Sequence, residues 1–370
     1  MEPAVRRRRW VALGTLTCLA IGTFAFIVSL GDGSPRRPEP ATALTLKQLA
    51  GQRIVVGLSG TSIAPGLRSA IRQGRVAGIV LFGANFPSRA AGRRLIARLQ
   101  AIPRPPKLSS PLLIMVDQEG GQVKRLSGAP TASAEAMGAR GATFSREQGR
   151  RTAADLRDVG VNVDLAPVLD VARSGGVIAE TERSFGSSAS RVTATAVPFA
   201  RALQAGGVAA TGKHFPGFGA ARENTDFSVE RIPLSKRQLR AIDEKPYRAF
   251  AAAGGRLVML STAIYPAFSR DPAAFTPAIV TGELRHRLGF EGVTITDALE
   301  TPAVEHFGSS ARAAVAGAKA GSDLLLYTHL DAATEAWRAL VGRLRSGALD
   351  RGPFEAAAQR VLDLRADAAP

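Results

Sequence analysis

Three short segments of the chain place charged side chains directly after runs of apolar and β-branched residues, and in two of them glycines lie nearby. They are VDQEGGQVKR (116–125), GKHFPGFG (212–219) and GVTITDAL (292–299). A carboxylate such as Asp117 can accept hydrogen bonds from vicinal sugar hydroxyls, and the fork of Arg125 can hold a second polar group. Asp297 ends an apolar run, where a carboxylate costs free energy unless it has partners or a chemical task. Each segment alone is also typical of a turn or a structural histidine, but together they indicate a polar site.

The three segments fall at the ends of predicted strands. Eight short runs rich in β-branched residues alternate with amphipathic stretches, which is typical of β/α units in a parallel sheet. The runs are Arg53–Leu58, Gly78–Phe82, Leu112–Val116, Asn162–Val168, Val208–Lys213, Arg256–Ser261, Val293–Thr296 and Asp323–Tyr327. Helical patterns, several with Ser or Thr in the N-cap position, lie at Ser88–Ile102, Ser145–Val159, Arg191–Ala205, Lys236–Ala253 and Ser309–Ala320. Eight such units predict a (β/α)8 TIM-type barrel.

An open, doubly wound sheet has the same alternation of strands and helices. It would bind its ligand in one crevice, near the point where the strand order reverses. Here Asp117, Lys213, His214 and Asp297 follow different strands along the chain. Polar residues distributed around the carboxyl ends of several strands favour the barrel.

The N-terminal segment differs in composition from the rest of the chain. The arginines at 6–9 precede an uncharged apolar run from Trp10 to Leu30. As a helix with a rise of about 1.5 Å per residue, this run would span a bilayer, with the arginines on the cytoplasmic side. A cleaved signal peptide has a similar start, but no clear small-x-small cleavage site precedes Gly31. Both interpretations place the following domain outside the cytoplasm, either membrane-anchored by a single helix or secreted.

The predicted domain organisation follows from this start. Residues 31–43 contain three prolines and two arginines, a composition typical of a stiff, solvated linker. Residues 44–370 then form the barrel domain. The single cysteine, Cys18, lies in the apolar run and excludes an intrachain disulfide.

The chain is strongly basic, with 48 Lys and Arg against 31 Asp and Glu, a formal net charge of +17. The arginines are spread over the predicted helices rather than gathered in one block, and an export segment argues against a nucleic-acid partner. We therefore expect no nucleic acid. Biased arginine usage, or attraction to anionic lipid or cell-wall polymer, accounts for the charge. No sequence feature specifies an oligomeric state.

A series of ordered motifs resembles the barrel domain of glycoside hydrolase family 3, in particular the single-domain bacterial β-N-acetylhexosaminidases. The motifs extend over nearly all of the chain from about Leu44. They are LFGAN (81–85), DQEGG (117–121), NVDLAPVLDV (162–171), ERSFG (182–186), KHFPG (213–217), TDAL (296–299) and AKAGSD (318–323).

The resemblance implies a role for individual residues. Asp297 would be the nucleophile, attacking the anomeric carbon to give a glycosyl-aspartyl intermediate that water hydrolyses with net retention. The positions expected to hold the terminal sugar are Asp117, Arg125, Arg183, Lys213 and His214. The resemblance implies neither a metal nor an organic cofactor.

The chain departs from the family at the acid/base. In the family, the loop after KHFPG carries a histidine close behind an aspartate, whereas the loop at 218–230 has no histidine. Asp226 occupies the place of the family's aspartate and is the preferred proton donor, with Glu223 and Glu230 as the other carboxyl groups of the loop. Three alternatives stay open: an insertion or the substrate supplies the proton, the barrel binds sugar without cleaving it, or Asp226 only caps a turn.

The function that the resemblance implies is removal of terminal β-linked N-acetylglucosamine, or a related sugar, from cell-wall-derived glycans by an exo-acting, retaining hydrolase. A catalytically weak or inactive sugar-binding barrel is one alternative, and the missing histidine favours it. A family 3 β-glucosidase is another, because a fold does not determine its substrate.

Overall fold

The structure is a computed structural model that describes residues 40–305 and 308–368. Ten strands lie in these residues. They are β1 (Ile54–Gly57), β2 (Gly78–Leu81), β3 (Leu113–Val116), β4 (Gln118–Gly120), β5 (Val123–Lys124), β6 (Val163–Asp164), β7 (Ala209–Phe215), β8 (Leu257–Leu260), β9 (Val293–Thr296) and β10 (Leu325–Tyr327). Each of the eight predicted strands corresponds to one of them, and β4 and β5 form a separate antiparallel hairpin.

Eight of these strands form a parallel sheet in the order β10-β1-β2-β3-β6-β7-β8-β9. A bridge between Ile295 and Leu324 joins its two outer strands, and the Leu324 N–H donates to the Thr294 carbonyl at 2.8 Å. The sheet therefore curls into a barrel rather than remaining open, and the predicted barrel architecture is confirmed.

Both faces of the barrel strands are buried, which explains why they read as continuous apolar runs. Alternate residues belong to two separate clusters: Val55 and Met115 pack in the barrel interior, whereas Val56 and Ile114 pack under the helices. Val361, in the helix at Arg351–Asp367, joins the interior cluster. The same helix places Arg365 Nε 2.9 Å from the Pro111 carbonyl, just before β3. The amino ends of the strands are thus covered, and the opposite end carries the polar residues.

The helices surround the barrel. The α-helices of the described residues are α1 (Leu46–Gly51), α2 (Pro65–Arg72), α3 (Arg89–Gln100), α4 (Ala134–Arg140), α5 (Ala142–Val159), α6 (Val177–Glu180), α7 (Ala189–Ala205), α8 (Lys236–Gln238), α9 (Lys245–Ala252), α10 (Pro302–Glu305), α11 (Ser310–Ala320), α12 (Leu330–Arg345) and α13 (Arg351–Asp367). Serine is a preferred N-cap residue. The N-cap hydrogen bonds of α3, α7 and α11 are accepted by Ser88, Ser188 and Ser309.

Two elements differ from the sequence-based prediction. The strand expected over 162–168 is regular only in β6, because Pro167 has no N–H to donate to a ladder; its carbonyl still accepts the Lys213 N–H at 3.2 Å. The helix expected over Lys236–Ala253 is interrupted by a π-helical turn at Leu239–Asp243. This turn buries Asp243, which pairs with Arg173.

The predicted membrane or signal helix at Trp10–Leu30 lies outside the described residues, as does most of the predicted linker. Ala41–Ala43, at the end of that linker, form a 3-10 turn in which Ala41 is buried. Within residues 40–305 and 308–368, no helix is both long enough and apolar enough to cross a membrane.

Candidate active site

The carboxyl ends of the strands surround a cavity of about 330 Å³. Asp117 follows β3, Lys213 and His214 lie in β7, and Asp297 follows β9. The other three predicted residues come from connecting segments. All seven residues predicted from the sequence line this one cavity: Asp117, Arg125, Arg183, Lys213, His214, Asp226 and Asp297.

A network of charged side chains forms one wall of the cavity. Lys213 Nζ lies 2.6 Å from Asp117 Oδ1 and 2.7 Å from Glu119 Oε1. Arg183 binds Glu119 through two parallel hydrogen bonds of 2.8 Å, from Nε and Nη2. Arg125 Nη2 is 3.7 Å from Asp117 Oδ2. The network joins residues from the end of β3, the hairpin, β7 and the ERSFG segment, so it holds Lys213 and Arg183 in fixed positions.

Glu119 and Lys213, the buried members of the network, are ionised at neutral pH. Burial opposes the charge on Glu119, but the charges and hydrogen bonds of Arg183 and Lys213 outweigh it and hold the pKa of Glu119 well below its usual range. Burial also opposes the charge on Lys213, yet Asp117 and Glu119 raise the pKa of this ammonium. The wall therefore presents fixed charges and hydrogen-bond donors to a polyhydroxylated ligand.

Glu119 is a site residue that sequence reasoning missed. It lies within the DQEGG motif, but its side chain is buried behind the cavity and its arginine partner is 64 residues away. Gln118, its neighbour, fixes the loop that carries Arg125: Gln118 Oε1 accepts the N–H groups of Arg125 and Leu126 at 2.9 and 3.0 Å. The motif is thus a support for the cations as well as the source of Asp117.

His214 is oriented by a carboxylate from the APVLD segment. Its Nδ1 lies 2.8 Å from Asp170 Oδ2, and its backbone N–H donates to Asp170 Oδ1 at 3.1 Å. Asp170 Oδ1 also accepts the Phe218 N–H at 2.7 Å, which fixes the start of the following loop. Because Nδ1 is engaged, Nε2 is the ring nitrogen available to a ligand. Asp170 was part of a recognised motif, but no sequence feature indicated this role.

Asp297 is held at the end of β9 by hydrogen bonds with backbone groups. Its N–H donates to the Leu260 carbonyl at 2.9 Å, and its Oδ1 accepts the Ala298 N–H at 2.8 Å. Burial raises the pKa of Asp297; the charge of His214 opposes this rise and the charge of Asp226 adds to it. The carboxylate is therefore fixed in place, faces the cavity and lies within electrostatic reach of Asp226.

Among the three carboxyl groups considered for the proton donor, Asp226 alone lines the cavity. It follows an Asx-type turn in which Asn224 Oδ1 accepts the Asp226 N–H at 3.0 Å. Glu230 is engaged within the loop, since its Oε2 accepts the Arg222 N–H at 3.0 Å. Glu223 is exposed and contributes nothing to the cavity wall. The geometry thus favours Asp226 over Glu223 and Glu230.

Glu300 lines the cavity and was also not indicated by the sequence. It accepts hydrogen bonds from the Thr328 N–H and hydroxyl at 2.6 and 3.0 Å, and from the His329 N–H at 3.0 Å. These bonds tie the segment after β9 to the segment after β10, on either side of the barrel closure. In the described part of the chain, no group of three or more His, Cys, Asp or Glu side chains is placed to hold a metal ion.

The sequence pattern that describes the glycosyl hydrolase family 3 N-terminal domain matches residues 45–364. An uncharacterized secreted glycosyl hydrolase of Arthroderma benhamiae is 37% identical over 336 residues, which are 88% of this chain and 95% of that protein. A β-hexosaminidase of Xylella fastidiosa is 34% identical over 303 residues, 78% of this chain and 87% of that protein.

Solved structures show the same relationship. A family 3 β-N-acetylglucosaminidase of Paenibacillus sp. superposes with a TM-score of 0.84 at 33% identity. The match covers 89% of this chain and 64% of the longer Paenibacillus chain. Since the family pattern covers most of the chain and the fold agrees, this protein is a member of glycoside hydrolase family 3.

Proposed function

We propose that this protein is an exo-acting, retaining glycoside hydrolase that removes terminal β-linked N-acetylglucosamine, or a closely related sugar, from cell-wall-derived glycans. The observation that carries the proposal is the convergence of Asp297, Asp226 and the five predicted sugar-binding residues on one cavity. Relatives named β-hexosaminidase and β-N-acetylglucosaminidase support the choice of sugar.

The binding step uses the charged wall. Asp117 and the cations Lys213 and Arg183 would hold the hydroxyl groups of the terminal sugar, and His214 would bind through Nε2. Asp117 already binds Lys213, Glu119 binds Arg183 and Asp170 binds His214, through contacts of 2.6 to 2.8 Å. Little ordering is therefore needed when the sugar enters. Such preorganisation directs binding energy to the reacting carbon.

The chemical step divides between two carboxyl groups. Asp297 attacks the anomeric carbon while the bond to the leaving oxygen breaks, and protonated Asp226 delivers its proton to that oxygen. The Asp226 carboxylate then takes a proton from a water molecule as the water displaces Asp297, which restores both groups. Each displacement inverts the anomeric centre, so the product keeps the β configuration.

One observation favours a second candidate, a sugar-binding barrel with weak or no turnover. Asp226 is exposed on a loop without histidine, whereas a glycosidase acid ordinarily depends on an environment that keeps it protonated. General acid catalysis typically contributes about 10²–10⁴-fold in rate. Its absence would leave the ring-binding wall intact and the turnover low.

We also propose that the domain works outside the cytoplasm, tethered by the helix predicted at Trp10–Leu30 or released after cleavage. The relative from Arthroderma benhamiae named as secreted supports export. A cell-wall glycan would then be accessible to the cavity.

The experiment that tests the proposed function compares the nitrophenyl β-glycosides of N-acetylglucosamine and glucose. We expect the wild-type protein to hydrolyse the N-acetylglucosaminide, and the first sugar product detected by NMR should have the β configuration. Asp297→Ala should show no turnover. Preference for the glucoside would instead indicate a β-glucosidase. If wild-type protein binds N-acetylglucosamine in a calorimetric titration but turns over neither activated substrate, the binding-protein interpretation replaces the proposal.

A further inference from the structure

The cavity has room for one sugar ring and little more. Its volume of about 330 Å³ lies at the low end of the range for small-ligand pockets. If a terminal sugar fills it, as the proposed function requires, the remainder of the glycan must lie outside. The proton donor has to face the bond between the two parts, so the leaving sugar must lie beside Asp226.

Phe227, the next residue, is the most exposed large apolar side chain of residues 40–305 and 308–368. Its relative exposure is 82%, against 48% for Val229 and 40% for Ile242. Isolated exposed apolar side chains are common on protein surfaces. Phe227 differs in its place, because the closed turn that carries Asp226 also carries this ring: the Phe227 N–H donates to the Asn224 carbonyl at 3.0 Å.

We propose that Phe227 is the platform of a binding subsite for the leaving saccharide, on which the second sugar of a β-linked glycan stacks. The inference rests on the proposed function. A hexopyranose with equatorial substituents presents a face of C–H groups, and the face of a phenyl ring carries the negative part of its quadrupole, which attracts such groups. The exposed ring also loses contact with water when the sugar covers it.

The proposed platform is a binding residue and takes no part in proton transfer. Stacking would hold the glycosidic oxygen beside Asp226 while the transition state forms. Substrates with a sugar as leaving group should depend on Phe227, whereas substrates whose leaving group cannot reach the rim should not.

The test uses full-length protein and two substrates with the same reacting sugar. One is the β-1,4-linked disaccharide of N-acetylglucosamine, and the other is β-N-acetylglucosaminyl fluoride, whose leaving group is a single atom. We expect Phe227→Ala to lower kcat/KM for the disaccharide about tenfold, the scale of one aromatic contact, and to leave the fluoride unchanged. Phe227→Tyr, which keeps the ring, should behave like wild type.

Ile242→Ala, an exposed apolar side chain outside the loop, is the control and should alter neither value. An equal loss on both substrates with Phe227→Ala would show that the substitution disturbs the loop, and the platform would be rejected. Unchanged values on both substrates would also reject it while leaving the proposed function intact. If wild-type protein cleaves neither substrate, the proposed function fails and the subsite fails with it.

Discussion

At the scale of single residues, the pKa of Asp297 makes a pH prediction. Burial and the charge of Asp226 raise this pKa, against the opposing charge of His214. Because attack needs the ionised carboxylate, kcat/KM should fall as the pH falls through the raised pKa. A nitrophenyl leaving group needs little protonation, so for such a substrate the fall of kcat/KM on the acidic side reports Asp297. This acidic limb of the pH profile should have its midpoint above pH 3.9, which is about the ordinary pKa of aspartate.

The variant Asp226→Asn sharpens this prediction. It removes the negative charge that, together with burial, raises the pKa of Asp297, so the acidic limb of the pH profile should move to lower pH. Asp331→Asn, at an exposed position on α12, should leave the limb in place. If the acidic limb of the kcat/KM profile lies at the same pH in Asp226→Asn and in wild type, the two carboxylates do not interact as the structure indicates.

The second prediction concerns the cations of the charged wall. Arg183→Ala and Lys213→Ala should each weaken N-acetylglucosamine binding in a calorimetric titration, because each variant removes a donor and leaves Glu119 without one partner. Loss of one partner of a buried pair typically costs about 3–5 kcal/mol of stability, so the unfolding midpoint should also fall. Arg150→Ala, on the surface of α5, is the matched control. Unchanged affinity in both variants would remove these residues from the sugar site.

Residue positions at strand ends could be predicted from the sequence, and buried partners could not. Asp117, Lys213, His214 and Asp297 each follow or end an apolar run, which reveals their place on the rim. Glu119, Asp170 and Glu300 act through side chains that are distant in sequence, with separations of 64 residues to Arg183, 44 to His214 and 28 to Thr328. These contacts depend on which strands and loops become neighbours in the folded barrel, which local sequence patterns do not encode.

At the scale of elements, the two differences from prediction have local causes. Pro167 limits β6, although the following backbone still pairs with β7. The π-helical turn replaces a regular helix where Asp243 turns inward to bind Arg173 through hydrogen bonds of 2.7 and 2.8 Å. Gly217 of KHFPG packs against Asp243 so closely that an added Cβ would lie 2.5 Å from its Cβ. The spacing of apolar residues along such a helix indicates only its buried side and carries no signal of a buried ion pair.

This ion pair gives the third prediction. Arg173→Ala leaves a buried carboxylate without its cation and should lower the free energy of unfolding. We expect a loss of about 2–4 kcal/mol, below the roughly 3–5 kcal/mol typical of a fully buried pair, because the Arg173 side chain is 27% exposed. Adding Asp243→Asn should recover part of the loss, because the uncompensated charge is then absent. Urea denaturation of the two variants and wild type measures both steps. Equal stability of Arg173→Ala and wild type would contradict the account. So would a further full loss of stability when Asp243→Asn is added to Arg173→Ala.

At the scale of the whole molecule, the N-terminal segment makes the fourth prediction. The arginines at 6–9 and the apolar run at Trp10–Leu30 should place the barrel outside the cytoplasmic membrane. Protease added to intact spheroplasts that carry the full chain should therefore degrade the domain. Replacing the four arginines with glutamate should reduce this exposure. A domain that is protected in intact spheroplasts and degraded only after lysis would show that the predicted topology is wrong.

The central claim is that Asp297 is the nucleophile and Asp226 the proton donor, and azide rescue of Asp226→Ala tests it most directly. With a nitrophenyl β-N-acetylglucosaminide, the variant should still form the covalent intermediate but hydrolyse it slowly, because no general base activates water. Azide needs no general base, so it should restore turnover and give a β-glycosyl azide. Rescue that gives an α-glycosyl azide, or Asp226→Ala activity on unactivated glycosides equal to that of wild type, would contradict the assignment.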